Sequence, residues 1–204
     1  MSKPGAVLLV DPVNRVYEHD ALFDPAAGAF GGDDVNGPWR HVRERLAARG
    51  VPVHTADLFE RGEAPAAERY VYVSMGCRTR YARLAARDEV AATAFFALEC
   101  PIVEPRLYLE LDRLDEVFAR LYSFSDAESL RPFLRRPLEF RHFHIPQPFD
   151  RVHEDAWSRG ERSFLTIINA NKVPRLTAHE LYSERLRAVE YFERFGEIDL
   201  WGVG

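Results

Sequence analysis

The stretch Ala6-Val7-Leu8-Leu9-Val10, closed by Asp11-Pro12, decides how the rest of the chain is read. An unbroken apolar run with no alternation suits a strand buried on both faces, and such strands belong to parallel sheets. Parallel neighbours need crossover connections, so helices should alternate with strands downstream. The polar stretch with Gly28, Gly31, Gly32 and Gly37 reads as a loop. Pro38 then stands where a helix can begin. Trp39, Val42 and Leu46 recur at helical spacing, and Gly50 stops the run. Val51–His54, Tyr70–Ser74, Ala94–Glu99 and Val117–Phe124 read as the second to fifth strands, with a helix over Tyr81–Arg87 and Asp126 as a cap. The expected fold is α/β: a doubly wound, Rossmann-like domain on a parallel sheet.

The polar and aromatic stretch Phe140–Trp157, with Pro146 and Pro148, has no clear period and reads as connector. Beyond it, Ser163–Asn169 is a second buried strand and Pro174 breaks the chain. A helix is expected from Thr177 to Arg194, with Leu181, Leu186, Val189 and Phe192 on one face and Gly196 at its stop. Glu197–Trp201 completes a β-α-β unit. The domain boundaries are drawn at 1–150, a connector at 151–162, and a partial second Rossmann-like unit at 163–204. A lone β-α-β cannot cover both faces of its sheet, so the chain is expected to be truncated within that second domain.

Among the 204 residues, 47% are hydrophobic and 29% charged, which suffices for a globular core. A net charge of -5 supplies no basic field for nucleic acid. Cys77 and Cys100 are far apart and make neither a disulfide framework nor a zinc motif. With no signal peptide and no run long enough to span a bilayer, the expected setting is cytoplasmic, with peripheral membrane association left open.

Three segments carry a family resemblance: Phe164 to Lys172, Glu180 to Leu186, and Gly196 to Gly202. Together they resemble the opening of the donor domain in family 10 glycosyltransferases, the α-1,3/1,4-fucosyltransferases, and the bacterial members most closely. An apolar strand ends near an Asn, an Arg starts a helix, and Asp199-x-x-Gly202 ends the next strand. The resemblance implies a GT-B architecture, two Rossmann-like domains, in which the amino-terminal one handles a glycan acceptor. The second would bind a GDP-sugar, GDP-fucose by family, and the transfer would be inverting, without a permanently bound cofactor. It also implies a later donor-binding segment with a Tyr, a Glu and a Lys, expected to be missing from a truncated chain.

By the same resemblance Arg185 would hold the donor diphosphate, near a helix start whose N–H groups also favour an anion. Arg187 is the alternative if the register slips. Read from the residues alone, Arg185 belongs to a solvated charge run, Glu184-Arg185-Leu186-Arg187. Glu99, in Leu98-Glu99-Cys100-Pro101, resembles the family's proposed general base, which would take the proton from the acceptor hydroxyl. Glu104 competes with it, and a strand-end cap is the plain structural reading of Glu99. Asn169, Asn171 and Lys172 follow a strand end and could touch donor phosphate or ribose. His142, His144 and His153 have His-x-His spacing without supporting carboxylates, so connector packing is preferred and no metal is assigned. Gly31-Gly32-Asp33-Asp34 does not join a strand to a helix and is not read as a dinucleotide turn. A non-catalytic Rossmann-like binding module is the alternative to the transferase, and a GT-B enzyme with another nucleotide donor is a third reading.

Overall fold

The computed structural model describes residues 3–27, 29–30, 33–34, 36–144, 154, 158, 164–169, 180–196 and 198–202. They fall into two compact units: Met1–Cys100 with Arg106–Pro148, and Pro101–Pro105 with Phe149–Gly204.

In the first unit, β1 (Ala6–Pro12) leads through two short 3-10 turns to a small antiparallel hairpin, β2 (Ala29–Phe30) and β3 (Asp33–Asp34). Then come α1 (Gly37–Ala47), β4 (Val53–Thr55), α2 (Ala56–Glu60), β5 (Arg69–Met75), α3 (Tyr81–Ala85) and β6 (Val90–Ala97). After these follow α4 (Pro105–Val117), β7 (Leu121–Ser123), α5 (Ala127–Leu130) and β8 (Phe140–His142). Six strands form one sheet in the order β4-β1-β5-β6-β7-β8, and every neighbouring pair is parallel. The fold is therefore α/β and Rossmann-like.

The unbroken apolar run of β1 has the expected cause. Side chains alternate across a strand. Val7 and Leu9 enter a core with Tyr72, Phe95, Leu84 of α3 and Leu107, Leu111 and Leu114 of α4. Val10 enters the opposite core with Leu22, Phe23 and Val53, against which Trp39 and Leu46 of α1 pack. Gly50 ends the α1 segment at φ 74°, a left-handed conformation that glycine adopts without steric cost. Asp126 caps α5, its carboxylate accepting the Ser129 N–H at 2.8 Å.

Three sequence expectations need correction. The fourth strand runs Val90–Ala97 rather than Ala94–Glu99, because the first core takes Val90, Phe95 and Ala97, and pairing with β5 stops before Glu99. Val117 closes α4 instead of opening a strand, and only Leu121–Ser123 pairs with β6. Phe140–His142 is not connector but the outermost strand, paired with β7. The helix α4 itself fills a stretch left unassigned above.

In the second unit, β9 (Leu165–Ile168) and β10 (Ile198–Trp201) pair in parallel, connected through α6 (Tyr182–Glu193), as the β-α-β reading expects. Gly196, at φ 65°, follows the helix end. Large apolar side chains stay open to solvent, among them Ile168, Leu181 and Trp201. The closing glycine of Asp199-x-x-Gly202 has a steric reason. Its φ is 150°, and a Cβ there would overlap the Asn169 carbonyl oxygen. Gly202→Ala is expected to cost about 1–3 kcal/mol through forced backbone displacement. A urea melt followed by Trp201 fluorescence checks this, and an unmoved midpoint refutes the close approach.

Among the described residues, no helix is long and apolar enough to cross a membrane.

Candidate functional site

In the first unit the chain leaves β1, forms β4 on one side of it, and then returns to form β5 on the other. The carboxyl ends of β1 and β5 thus flank a topological switch point, where open α/β sheets place their ligands. β1 ends there in Asp11-Pro12 and β5 in Ser74-Met75, and Gly76 bridges back to Pro12. A cleft of about 330 Å³ opens at this rim, lined by Val13, Arg15, Gly76, Arg78, Arg80 and Glu110 among others.

Asp11 is fully buried, which pushes its carboxyl above the ordinary carboxylate range, against the opposing pull of its partners. The Tyr72 hydroxyl donates to Oδ2 at 2.7 Å, and Arg80 Nη1 to Oδ1 at 2.8 Å. Arg80 also donates through Nη2 to Glu18 and through Nε to Glu60 at 2.9 Å. Burial alone would lower the Arg80 pKa; Glu18, Asp11 and Glu60 outweigh it and raise it. Arg80 is therefore a cation enclosed by three carboxylates. Beside it, Cys77 is a free buried thiol, pushed up by burial and then by the Asp11 charge.

Next to this hub, His19 and Asp20 hold left-handed backbone at φ 57° and 62°. Asp20 is fixed to β4: it accepts the Thr55 N–H at 2.8 Å and meets His54 Nδ1 at 2.8 Å, with Arg43 Nη2 at 3.2 Å. Burial opposes its charge, but His54, Thr55 and Arg43 hold its carboxyl below the ordinary value.

The Arg80 guanidinium is already neutralised by its carboxylates, whereas Arg15 in the cleft lining has no ion-pair partner among the described residues. A phosphate, which needs an uncompensated cation or free N–H groups, would therefore look to Arg15 rather than to Arg80.

Of the expected site residues, Glu99 lies in the turn two residues past the end of β6, at the carboxyl rim. Its side chain is exposed, and its carbonyl accepts the Tyr108 hydroxyl at 2.6 Å. Glu104 falls in the other unit. In that unit, Asn169 follows β9, its N–H donating to the Trp201 carbonyl at 2.9 Å. Asn171 and Lys172 lie outside the described residues, as does His153. Arg185 sits in the first turn of α6, half-buried, its guanidinium 5.2 Å over the Tyr182 ring. Arg187 is instead paired with Glu184.

One expectation about α6 changes. The N–H groups of Tyr182 and Ser183 are already capped by the Glu180 carboxylate, so they are not free to receive an anion. The rings of His142 and His144 meet edge to face at 4.3 Å. Sequence reasoning did not find the Arg80 hub. Its one legible signal was an acidic residue closing a buried parallel strand, at Asp11. Comparison with protein-family models, curated proteins and solved structures returned no match for this chain.

Proposed function

We propose that the chain is the acceptor-side domain and the start of the donor domain of an inverting, fucosyltransferase-like glycosyltransferase. In this reading a glycan acceptor meets the carboxyl rim of the first unit, with Glu99 as the base for its attacking hydroxyl. The donor is a GDP-sugar, GDP-fucose by family resemblance, gripped in the second unit through Arg185. The GT-B arrangement belongs to the same proposal.

One observation carries the reading. Arg185 has no carboxylate partner among the described residues and is held over Tyr182, whereas Arg187 is engaged by Glu184. A guanidinium left unpaired in the first turn of a crossover helix is suited to bidentate contact with phosphate oxygens. Because Glu180 caps the helix amides, the diphosphate would depend on the guanidinium more heavily than usual.

GDP is expected to raise the melting temperature of a form of the protein that carries the whole donor domain. Arg185→Ala should weaken GDP binding about tenfold or more, in line with about 1.5–3 kcal/mol for a hydrogen bond to a charged group. Arg187→Ala should leave it unchanged. Calorimetric titration separates the two, and the reverse ranking sinks the register on which the donor site rests.

The alternative is a non-catalytic Rossmann-like module that binds a glycan. It is favoured by the Glu180 carboxylate, which occupies the place an anionic ligand would take at α6. Glycan binding without any response to GDP would support it over the transferase.

A further inference from the structure

We propose that Glu18, His19 and Asp57 form a binding site for a divalent transition cation, of the zinc or manganese kind, beside the carboxyl ends of β1 and β4. This proposal stands apart from the sugar-transfer reading and does not depend on it.

The three side chains each offer a ligand atom, and those atoms lie within 4.8 Å of one another. His19 Nδ1 is 3.6 Å from Asp57 Oδ2. Two ligands about 2.0–2.2 Å from a zinc ion in a tetrahedral site stand roughly 3.3–3.6 Å apart, so that separation can be spanned by one ion.

A second observation is independent of the clustering. Asp57 is only 3% exposed, and while its Oδ2 accepts the His19 backbone N–H at 3.1 Å, its Oδ1 has no hydrogen-bond partner among the described residues. A buried carboxylate oxygen with no donor is costly, and a cation is one way to satisfy it.

The local charge balance points the same way. Asp11, Glu18, Asp57 and Glu60 stand against Arg61, Arg80 and Arg83, leaving the carboxylates in excess. Arg80 holds one oxygen of Glu18, and the carboxylate has a second to offer. Such an arrangement is an outer partner that orients a ligand.

The donor set chooses the ion. One imidazole with two carboxylates suits zinc or manganese, whereas calcium and magnesium prefer oxygen alone and copper(I) prefers sulfur. The His19 side chain is 54% exposed, which provides an entry path. Three protein ligands leave a position for water, the pattern of an open rather than a purely structural site.

The test uses the full chain after chelator treatment, titrated with Zn²⁺ by calorimetry and with Co²⁺ by visible absorption. One ion per chain is expected, with the absorption of a four- or five-coordinate Co²⁺ centre. His19→Asn keeps a residue that tolerates left-handed backbone but removes the imidazole. It should lower Zn²⁺ affinity at least tenfold while leaving the metal-free melting temperature in place. Asp57→Asn should lower affinity similarly, and His19→Asn keeps the test meaningful if that variant folds poorly. The proposal is overturned if wild type binds neither ion, or if His19→Asn binds as wild type does. It is equally overturned if binding disappears in a His142→Asn, His144→Asn double variant and not in His19→Asn.

Discussion

Replacing Arg80 with alanine is expected to destabilise the protein by about 3–5 kcal/mol, the usual cost of leaving a buried charge without its partner. Asp11 is 0% exposed and would keep only neutral partners, the Tyr72 hydroxyl and the Cys77 thiol. Glu18 would lose its ion-pair partner at the same rim, while Glu60 would keep Arg83. For a chain of this size the melting temperature should fall by roughly 6–20 °C. Arg80→Lys should recover only part of this, since a compact ammonium cannot reach three carboxylates in fixed directions. The pH dependence has a definite sign. An acid with a raised folded-state pKa holds its proton better folded than unfolded. The stability that Asp11 contributes is therefore complete below the ordinary carboxylate value and is lost as pH rises through the raised one. Without Arg80 that raised value moves higher still. The gap between variant and wild type should then narrow as pH falls towards the ordinary carboxylate value. Urea melts across that fall in pH decide it. A loss under about 1 kcal/mol would show that Arg80 is not the organising charge, and a gap independent of pH would exonerate Asp11.

The second large effect is on turnover. Under the proposed function, in a form that carries the whole donor domain, Glu99→Gln should lower the rate of sugar transfer from GDP-fucose about 10²–10⁴-fold, the range for losing a general base. The amide keeps the shape of the side chain but cannot accept the proton. GDP affinity should not change, because the donor is held elsewhere. The backbone at this position is tied by Tyr108 through the Glu99 carbonyl, so the substitution leaves that anchor in place. Glu104→Gln is the matched comparison and should transfer at the wild-type rate. Initial rates over a panel of glycan acceptors measure both; a fully active Glu99→Gln would remove the residue from the mechanism.

How much was legible in the sequence depended on how local each signal was. β1 and β5 were readable because burial on both faces demands unbroken apolar runs. The β-α-β of the second unit was readable from its helical spacing and its terminal glycine. Helix α4 was as legible and went unassigned: Leu107, Tyr108, Leu111 and Leu114 recur at helical spacing among Arg106, Glu110, Asp112, Arg113, Asp115 and Glu116, but Val117 at its end was absorbed into the next strand. The strand β8 is only three residues long and lies at the sheet edge, so it carries little hydrophobic pattern. The Arg80 hub was invisible for a different reason. Its partners Asp11, Glu18 and Glu60 are 69, 62 and 20 residues away, and only the sheet topology brings them together. Gly202 shows the reverse case: the motif was visible, while its cause, the Asn169 carbonyl, needed coordinates.

The position of β1 between β4 and β5 also sets an order of events on the ribosome. It is synthesised before the other strands of this sheet, yet its main partner, residue for residue from Ala6↔Arg69 to Pro12↔Met75, is made much later. At about 5–20 residues per second, roughly 3–13 s separate the two during translation. Val7-Leu8-Leu9-Val10 is a nascent apolar segment with both edges bare until β4 is made, and with one edge bare until β5 follows, the kind of window that recruits other chains. Lys3-Pro4 before it and Asp11-Pro12 after it place a charge and a proline at each end. Those are the gatekeepers that interrupt strand addition. The Asp11-Pro12 pair that finishes the strand in the folded protein thus also shields it from its neighbours on the polysome.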